Sequence, residues 1–437
     1  MSPRPVIRSP ELLAPAGSLA MLRTALAFGA DAIYGGQPRY SLRVRNNDFG
    51  ALATLRRAID EAHDAGRKFY LVSNVLPHNA KVRSYLTDMA PALALGPDAL
   101  IMADPGLIDL ARGKWPDVPI HLSVQANTVN FAAVRFWQKL GLARVILSRE
   151  LSLDEIAEIR QECPDVELEV FVHGALCIAH SGRCLLSGYF NHREANQGAC
   201  TNSCRWDYRL HRAEVDDSGD LRPVGASAGC VVDGQWLVEE GQRPGQLMPI
   251  EEDRHGTYLL NSKDLRAVEH VRRLTEIGVD SLKIEGRTKS AYYVARTTQV
   301  YRRAVDDAVA GRPFDAALLG ELDGLANRGY TSGFYQRHQP QDTQNYQRGH
   351  SESGRSLYVG EVVGWDHGQS LALVEVKNRL ALGDRIELIH PSGNRQLSID
   401  RMLDLDGHET RVAPGSGHCV WIPLPAEFPG AMLARFL

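Results

Sequence analysis

Several features that would identify a class of protein at once are scarce or missing in this chain. Its 437 residues carry a net charge of −4, so it lacks the overall positive charge of many nucleic-acid-binding proteins. No uninterrupted apolar run is long enough to span a bilayer, and residues 1–17 lack the apolar stretch of a secretion signal. We therefore expect a cytoplasmic protein without a membrane contact, in which any nucleic-acid site is a local patch.

Common catalytic motifs are missing as well. The sequence has no H-E-x-x-H, no G-x-x-x-x-G-K phosphate loop and no C-x3-C-x2-C of the kind that loads S-adenosylmethionine radical enzymes. One G-x-S-x-G occurs at residues 225–229, but it lacks the preceding strand and following helix of a nucleophile elbow. These absences disfavour zinc peptidase, P-loop and serine hydrolase chemistry.

Cysteine is scarce, with seven in the chain, yet four of them fall within one short segment. Cys177, Cys184, Cys200 and Cys204 follow the spacing C-x6-C-x15-C-x3-C. In a reducing compartment such a group is more typical of a metal or cluster site than of disulfides. The long, irregular spacing favours an iron–sulfur cluster over zinc, whose structural sites use short paired spacings. Unligated buried thiols are the third possibility.

A repeated pattern between residues 11 and 287 predicts the fold. Short apolar strands alternate with amphipathic helices, which is typical of parallel βαβ units buried on both faces. Eight such units match a (β/α)8 TIM-like barrel, and a doubly wound open sheet is the alternative. The predicted strands lie in Glu11–Gly17, Ala27–Gly36, Lys68–Val75, Ala94–Gly106, Pro119–Asn127, Lys139–Glu150, Glu167–Ala175 and Glu276–Arg287.

Changes in composition divide the rest of the chain. Residues 205–256 lose the alternation and predict an insertion of short antiparallel strands after the seventh barrel strand, within a catalytic barrel of residues 1–338. Residues 339–356 are polar and nearly free of aliphatic side chains, as in a linker. Residues 357–437 predict a small C-terminal β-barrel, an accessory domain for which we expect an RNA-binding role.

The catalytic face of such a barrel is formed by the segments that follow the strands, so polar residues there are candidates for the site. Each could also be structural. The candidate catalytic residues are Asp104, Gln125, His173 and Glu285. Arginines in the same segments suit an anionic ligand, because guanidinium binds carboxylate and phosphate through two hydrogen bonds, although each could instead pair with an acid. The candidate anion-binding residues are Arg39, Arg43, Arg45, Arg149 and Arg287.

Several of these segments carry a resemblance to a known family. ELLAPAG, GGQPRYSLRVRN, HLSVQAN, HGALC, CTNSCRW and LKIEGRTKS together resemble the collagenase-like peptidases of unknown catalytic type, family U32. The resemblance runs from about Glu11 to Tyr346. It is greatest to a bacterial branch of the family that hydroxylates transfer RNA and that ends in a small barrel similar to the C-terminal segment here.

The resemblance implies a specific activity. It implies oxygen-independent 5-hydroxylation of the wobble uridine in the tRNA anticodon loop, with the dicarboxylate prephenate as cosubstrate. It also implies a 4Fe-4S cluster, since the four-cysteine motif of that branch matches Cys177, Cys184, Cys200 and Cys204. A peptidase, as the family name suggests, and a non-catalytic tRNA-binding factor are the alternatives.

Overall fold

The computed structural model describes most of the chain outside the cysteine segment and the predicted linker. The described residues are 8–41, 47–77, 79–175, 179–180, 183–184, 208–215, 221–223, 235–240, 245, 247–253, 256–259, 263–327, 329–336 and 356–437. None of the helices in these ranges is both long enough and apolar enough to cross a membrane.

Eight parallel strands form a closed barrel. They are β1 (Glu11–Pro15), β2 (Ala32–Gly36), β3 (Lys68–Ser73), β4 (Ala99–Met102), β5 (Ile120–Leu122), β6 (Arg144–Ile146), β7 (Glu167–Ala175) and β8 (Ser281–Ile284). Each strand pairs with the next, and β8 pairs with both β7 and β1. The predicted (β/α)8 barrel is therefore confirmed, because an open doubly wound sheet would leave two unpaired edges.

Helices connect the strands on the outside of the barrel. They span Leu19–Ala27, Leu52–Asp64, Asn79–Leu93, Pro105–Lys114, Phe131–Lys139, Leu153–Glu162, Val271–Ile277 and Ala291–Val309, with 3-10 turns at Asp48–Gly50, Val124–Ala126 and Val268–His270. Local chemistry fixes their ends. Ser152 and Glu155 exchange hydrogen bonds in a capping box at the start of Leu153–Glu162. Gly278 ends Val271–Ile277 with a φ of +88°, a conformation that glycine adopts without strain.

Two further strands extend the barrel sheet beyond β7. Asp264–Arg266 pairs antiparallel with the end of β7, and Tyr330–Thr331 pairs parallel with Asp264–Arg266. A short helix, Ala317–Asp323, precedes the second of these strands. This extension lies along the edge of β7 near its carboxyl end.

Between β7 and the strand Asp264–Arg266, the described residues form antiparallel strands. Tyr208–Val215, Leu221–Pro223, Gln235–Glu240, Leu247–Asp253 and Gly256–Leu259 make a five-stranded antiparallel sheet, and Ala179–His180 pairs with Arg183–Cys184 in a hairpin. The insertion thus follows the seventh barrel strand. Its bounds, like the linker at 339–356, stay predictions, because neighbouring residues lie outside the described ranges.

The C-terminal part is a six-stranded antiparallel sheet with its own apolar core. Its strands are Ser356–Asp366, Leu371–Ala381, Arg385–Ile389, Arg395–Ser398, Val412–Pro423 and Met432–Phe436. Ile389, Met432 and Ala434 join the core of the barrel instead. The sheet packs on helix Ala291–Val309, where the rings of Tyr292 and Tyr358 stack with centroids 4.8 Å apart.

Candidate functional site at the barrel mouth

A buried ionic layer fills the barrel below its mouth. Glu169 of β7 is completely buried and accepts a hydrogen bond from Lys283 Nζ at 2.7 Å. Arg144 Nη1 lies 3.1 Å from Glu169 and 2.6 Å from Glu11. Burial by itself raises the pKa of Glu169, but Lys283 and Arg144 together lower it below its ordinary value. The carboxylate of Glu169 is therefore ionised, whereas burial lowers the pKa of Lys283 and Glu169 opposes that shift. The contact between them fixes Nζ of Lys283 inside the barrel.

Above this layer, cationic and aromatic side chains alternate. Lys283 Nζ lies 4.3 Å from the ring centroid of Tyr34 and 5.4 Å from that of Phe171. Arg149 Cζ is 3.9 Å from the Phe171 centroid, and Arg287 Cζ is 5.8 Å from the Tyr34 centroid. We call these five residues the cation–aromatic row. The negative faces of the rings stabilise the cations, so three positive charges are held close together.

Arg149 and Arg287, like Lys283, have partners outside the row. Arg149 forms an ion pair with Glu285, the first residue after β8, and both side chains are largely buried. Arg287 donates from Nη1 to Ser41 Oγ at 3.4 Å. Gly174, with a φ of +112°, permits the approach of Glu285, because a Cβ at that position would lie 2.8 Å from Glu285 Cβ. The structure thus brings together the predicted residues Arg149, Arg287 and Glu285.

His173 is not at the mouth, contrary to the expected position. In the pairing of β7 with β8, Phe171 pairs with Lys283 and His173 pairs with Ile284, so Val172 is an extra residue in β7. Side chains alternate along a strand, and this irregularity turns His173 away from the interior face that Phe171 occupies. Sequence spacing alone does not reveal such a bulge.

The surroundings of His173 are aromatic. Its ring is about 1% exposed and lies 5.7, 5.5 and 5.5 Å from the rings of Tyr293, Tyr301 and Tyr330. Nδ1 is 3.3 Å from the hydroxyl of Tyr301. Burial, with smaller contributions from nearby cations, lowers the pKa of His173 to about 3. The side chain is therefore neutral near pH 7 and sealed from the mouth, a position that does not suit a general base.

Asp104 and Gln125 follow β4 and β5. Asp104 caps the helix Pro105–Lys114, where its Oδ1 accepts a hydrogen bond from the amide of Leu107 at 2.8 Å. This contact gives Asp104 a structural role. Gln125 lies half-buried in the 3-10 turn that follows β5, and its backbone N–H donates to Ser123 Oγ at 3.4 Å.

The remaining predicted residues are placed away from the row or lie outside the described residues. Arg39 is exposed and pairs with Asp88 of the helix Asn79–Leu93 at 3.2 Å, so its charge is directed to the side of the barrel. Arg43 and Arg45 lie outside the described residues, as do the side chains of the predicted cluster ligands. Those ligands are Cys177, Cys184, Cys200 and Cys204.

Sequence reasoning missed Lys283, Tyr34 and Phe171. The available signal was a charged residue in the middle of an otherwise apolar strand, since Lys283 interrupts the run Ser281–Ile284. A buried lysine requires a buried acid, and Glu169 in β7 is the matching residue. The two charges together predict an ionic layer inside the barrel.

The described cysteines do not provide a nucleophile at the mouth. Cys163 lies before β7, at the opposite end of the barrel, and its thiol is 3.6 Å from the carbonyl of Phe131. Burial raises the pKa of Cys163, which disfavours the reactive thiolate. Cys419 is in the C-terminal sheet. Cysteine peptidase chemistry therefore gains no support from the described residues.

The similarity to known proteins extends over nearly the whole chain. The sequence model of Peptidase family U32 matches residues 17–345, and that of the family's C-terminal domain matches residues 355–435. The chain is 56% identical to tRNA hydroxylation protein P of Escherichia coli, over 96% of this chain and 94% of the relative. It is 55% identical to tRNA hydroxylation protein P of Haemophilus influenzae, over the same shares. The 23S rRNA 5-hydroxycytidine C2501 synthase of Escherichia coli is 29% identical, over 83% of this chain and 48% of its own length.

Proposed function

The chain belongs to Peptidase family U32, and we propose that, within this family, it is an RNA-modifying enzyme that hydroxylates transfer RNA. The observation that carries the proposal is the 56% identity with a tRNA hydroxylation protein over 96% of the chain. A relative named as an rRNA 5-hydroxycytidine synthase supports the same class of chemistry. The family name refers to a peptidase, but the neutral, sealed His173 and the distant Cys163 do not favour peptide hydrolysis.

The target within transfer RNA is the wobble uridine, which becomes 5-hydroxyuridine. A base of the anticodon loop is unpaired and can be turned out of the stack at low cost. The mouth of the barrel supports this choice, since the segments after β3 and β5 carry amide and hydroxyl groups, among them those of Asn74 and Ser123, which can bind the edge of a base. The phosphates on either side of the base suit cationic side chains.

Prephenate, which carries two carboxylates, is the cosubstrate in an oxygen-independent reaction. The cation–aromatic row supports a dicarboxylate site, because Arg149, Lys283 and Arg287 concentrate positive charge at one side of the mouth. Lys283 is committed to Glu169, so Arg149 and Arg287 are the residues that we assign to the two carboxylates. For Arg149, the incoming carboxylate replaces Glu285.

A 4Fe-4S cluster is the cofactor that suits the cysteine motif. Four thiolates are its usual donor set, and Cys177, Cys184, Cys200 and Cys204 supply that set in one segment. The described backbone pairs Ala179 with Cys184, so the chain reverses between the first two cysteines of the motif. When bound, such a cluster supplies one-electron transfer chemistry.

Nucleoside mass spectrometry tests the function directly. Disruption of the gene in a host without a second such enzyme should remove 5-hydroxyuridine and its derivatives from bulk tRNA, and a plasmid copy should restore them. Unchanged nucleosides would refute the proposal. Cleavage of collagen-like peptides by the purified, cluster-loaded protein would favour the peptidase. Binding of tRNA without any modification in a reconstituted system would favour a non-catalytic factor.

A further inference from the structure

Asn127 combines two unfavourable features. Its φ of +51° makes it one of only two non-glycine residues with positive φ in the described part of the chain. Its Oδ1 is buried and accepts no hydrogen bond from the described residues, and Oγ1 of the adjacent Thr128 is likewise buried without a partner there. Strained backbone and unpaired buried polar atoms both reduce stability, and they persist mainly where function requires them. The two side chains therefore suggest a ligand that is not part of the chain.

The position of Asn127 connects it to the mouth. It follows the 3-10 turn Val124–Ala126, on the carboxyl side of β5. The carbonyl of Thr128 accepts a hydrogen bond from the amide of Ser148 at 3.1 Å, and the next residue is Arg149. Asn127 is therefore beside the segment that carries one end of the cation–aromatic row. It has no charge of its own, so it differs in chemistry from the row.

We propose that Oδ1 of Asn127 accepts a hydrogen bond from N3–H of the target uracil, and that Asn127 is a specificity-determining residue for uridine over cytidine. The proposal rests on the function proposed above. Uracil carries a hydrogen at N3 with a carbonyl on either side, whereas cytosine at neutral pH has an acceptor at N3. A buried carboxamide oxygen therefore attracts uracil and repels cytosine. The hydroxyl of Thr128 can donate to one of the uracil carbonyls.

Substitutions of Asn127 can separate the effect of its side chain from the effect of its backbone conformation. Asn127→Gly removes the carboxamide and relieves the positive φ, so the fold should be retained. Asn127→Asp keeps an acceptor oxygen and a residue type that tolerates this conformation. Ser370→Gly is the matched control, because Ser370 has a φ of +53° in a turn of the C-terminal sheet. Thermal unfolding of each variant checks that it is folded.

The experiment uses the cluster-loaded, full-length enzyme with prephenate and with anticodon stem–loop RNAs that carry uridine, 3-methyluridine or cytidine at the target position. The wild-type enzyme and Ser370→Gly should lose about tenfold or more in kcat/KM on 3-methyluridine, where N3–H is replaced. Asn127→Gly should lose about as much on uridine, treat uridine and 3-methyluridine nearly alike, and discriminate less against cytidine. Asn127→Asp should keep the preference for N3–H.

The outcomes distinguish this inference from the proposed function. A wild-type enzyme that hydroxylates uridine, together with an Asn127→Gly variant of unchanged rate and unchanged discrimination, would overturn the role of Asn127 alone. Loss of discrimination in Asn127→Asp would do the same. A wild-type enzyme that hydroxylates none of the RNAs would overturn the proposed function and this inference with it.

Discussion

Arg296 of the helix Ala291–Val309 and Glu387 of the C-terminal sheet form an ion pair at two points. Arg296 Nη1 lies 3.1 Å from Glu387 Oε1, and Nη2 contacts Oε2. The arginine side chain is only 2% exposed, and Glu321 provides a second acid 3.6 Å from Nη1. Gln299 adds a hydrogen bond from Nε2 to the carbonyl of His390 at 3.0 Å. The buried charge of Arg296 thus fixes the sheet to the barrel, because Glu387 of the sheet contacts it through two oxygens and Glu321 through one.

Replacement of Glu387 should therefore destabilise the protein strongly. In Glu387→Ala the guanidinium of Arg296 stays buried without its main partner, and Glu321 compensates only in part. We expect a loss of about 3 kcal/mol in the free energy of unfolding, measured by urea titration. Glu375→Gln is the control, because Glu375 pairs with Lys377 on the surface and should cost less than about 1 kcal/mol. Equal effects of both substitutions would contradict the structural role of Arg296.

The barrel could be predicted from the sequence because its signals are local. Apolar strands, amphipathic helices and helix-ending residues such as Gly278 occur within short windows, and eight repeats leave few architectures. The placement of Arg149, Arg287 and Glu285 near one another follows from the same logic, since the carboxyl ends of parallel strands meet at one face. These predictions require only the order of the strands.

The rest of the site depends on features that spacing does not show. The bulge at Val172 reverses the side on which His173 lies, and the positive φ and unpaired Oδ1 of Asn127 are visible only in the structure. The ionic layer requires knowledge of which strands are neighbours around the ring, because β7 and β8 are separated by the long insertion. The partner of Lys283 is thus more than one hundred residues away in the sequence.

The buried His173 should make stability depend on pH. Its pKa is about 3 in the folded protein and about 6.5 when unfolded, so the unfolded state binds the extra proton first as the pH falls. The contribution of the neutral, buried His173 to the free energy of unfolding is fully present above pH 6.5 and is lost progressively as the pH falls to about 3. Between pH 6.5 and pH 5 the wild type should lose about 2 kcal/mol more than His173→Phe, as measured by urea unfolding at each pH.

The control for this prediction is His367→Phe, since the side chain of His367 is 80% exposed. Its pH dependence should follow that of the wild type. If His173→Phe also follows the wild type, His173 is not buried in its neutral form. His173→Phe also tests the predicted catalytic role of His173. A neutral, sealed histidine should not determine the pH dependence of kcat, so the profile between pH 6 and 8 should be the same in His173→Phe and the wild type.

Substitutions of Arg149 and of Glu285 should change the KM for prephenate in opposite directions if Arg149 binds a carboxylate of this cosubstrate. Arg149→Met removes the guanidinium and should raise the KM for prephenate about tenfold or more, with little change in the KM for tRNA. Glu285→Gln removes the competing charge and should lower the KM for prephenate. Steady-state kinetics with each substrate varied in turn measures both effects.

Arg39→Met serves as the comparison for Arg149. Arg39 was equally eligible from the sequence, but in the structure it pairs with Asp88 on the outer side of the barrel. Its removal should leave the KM for prephenate unchanged. A rise in that KM for Arg39→Met and none for Arg149→Met would overturn the assignment. A large fall in kcat for Glu285→Gln at an unchanged KM would instead favour a proton-transfer role for Glu285.

The cysteine motif predicts a coloured protein whose colour depends on individual thiols. Anaerobically purified protein should be brown and contain about four iron atoms per chain if the proposed 4Fe-4S cluster is present. Cys200→Ala removes one ligand and should abolish most of the absorption. Cys163→Ala is the matched control, because Cys163 is buried beside the carbonyl of Phe131 at the other end of the barrel and should leave both colour and iron content unchanged. Colourless wild-type protein that contains zinc would refute the cluster, whereas equal loss of colour in both variants would show that the thiols of the motif are not its specific ligands.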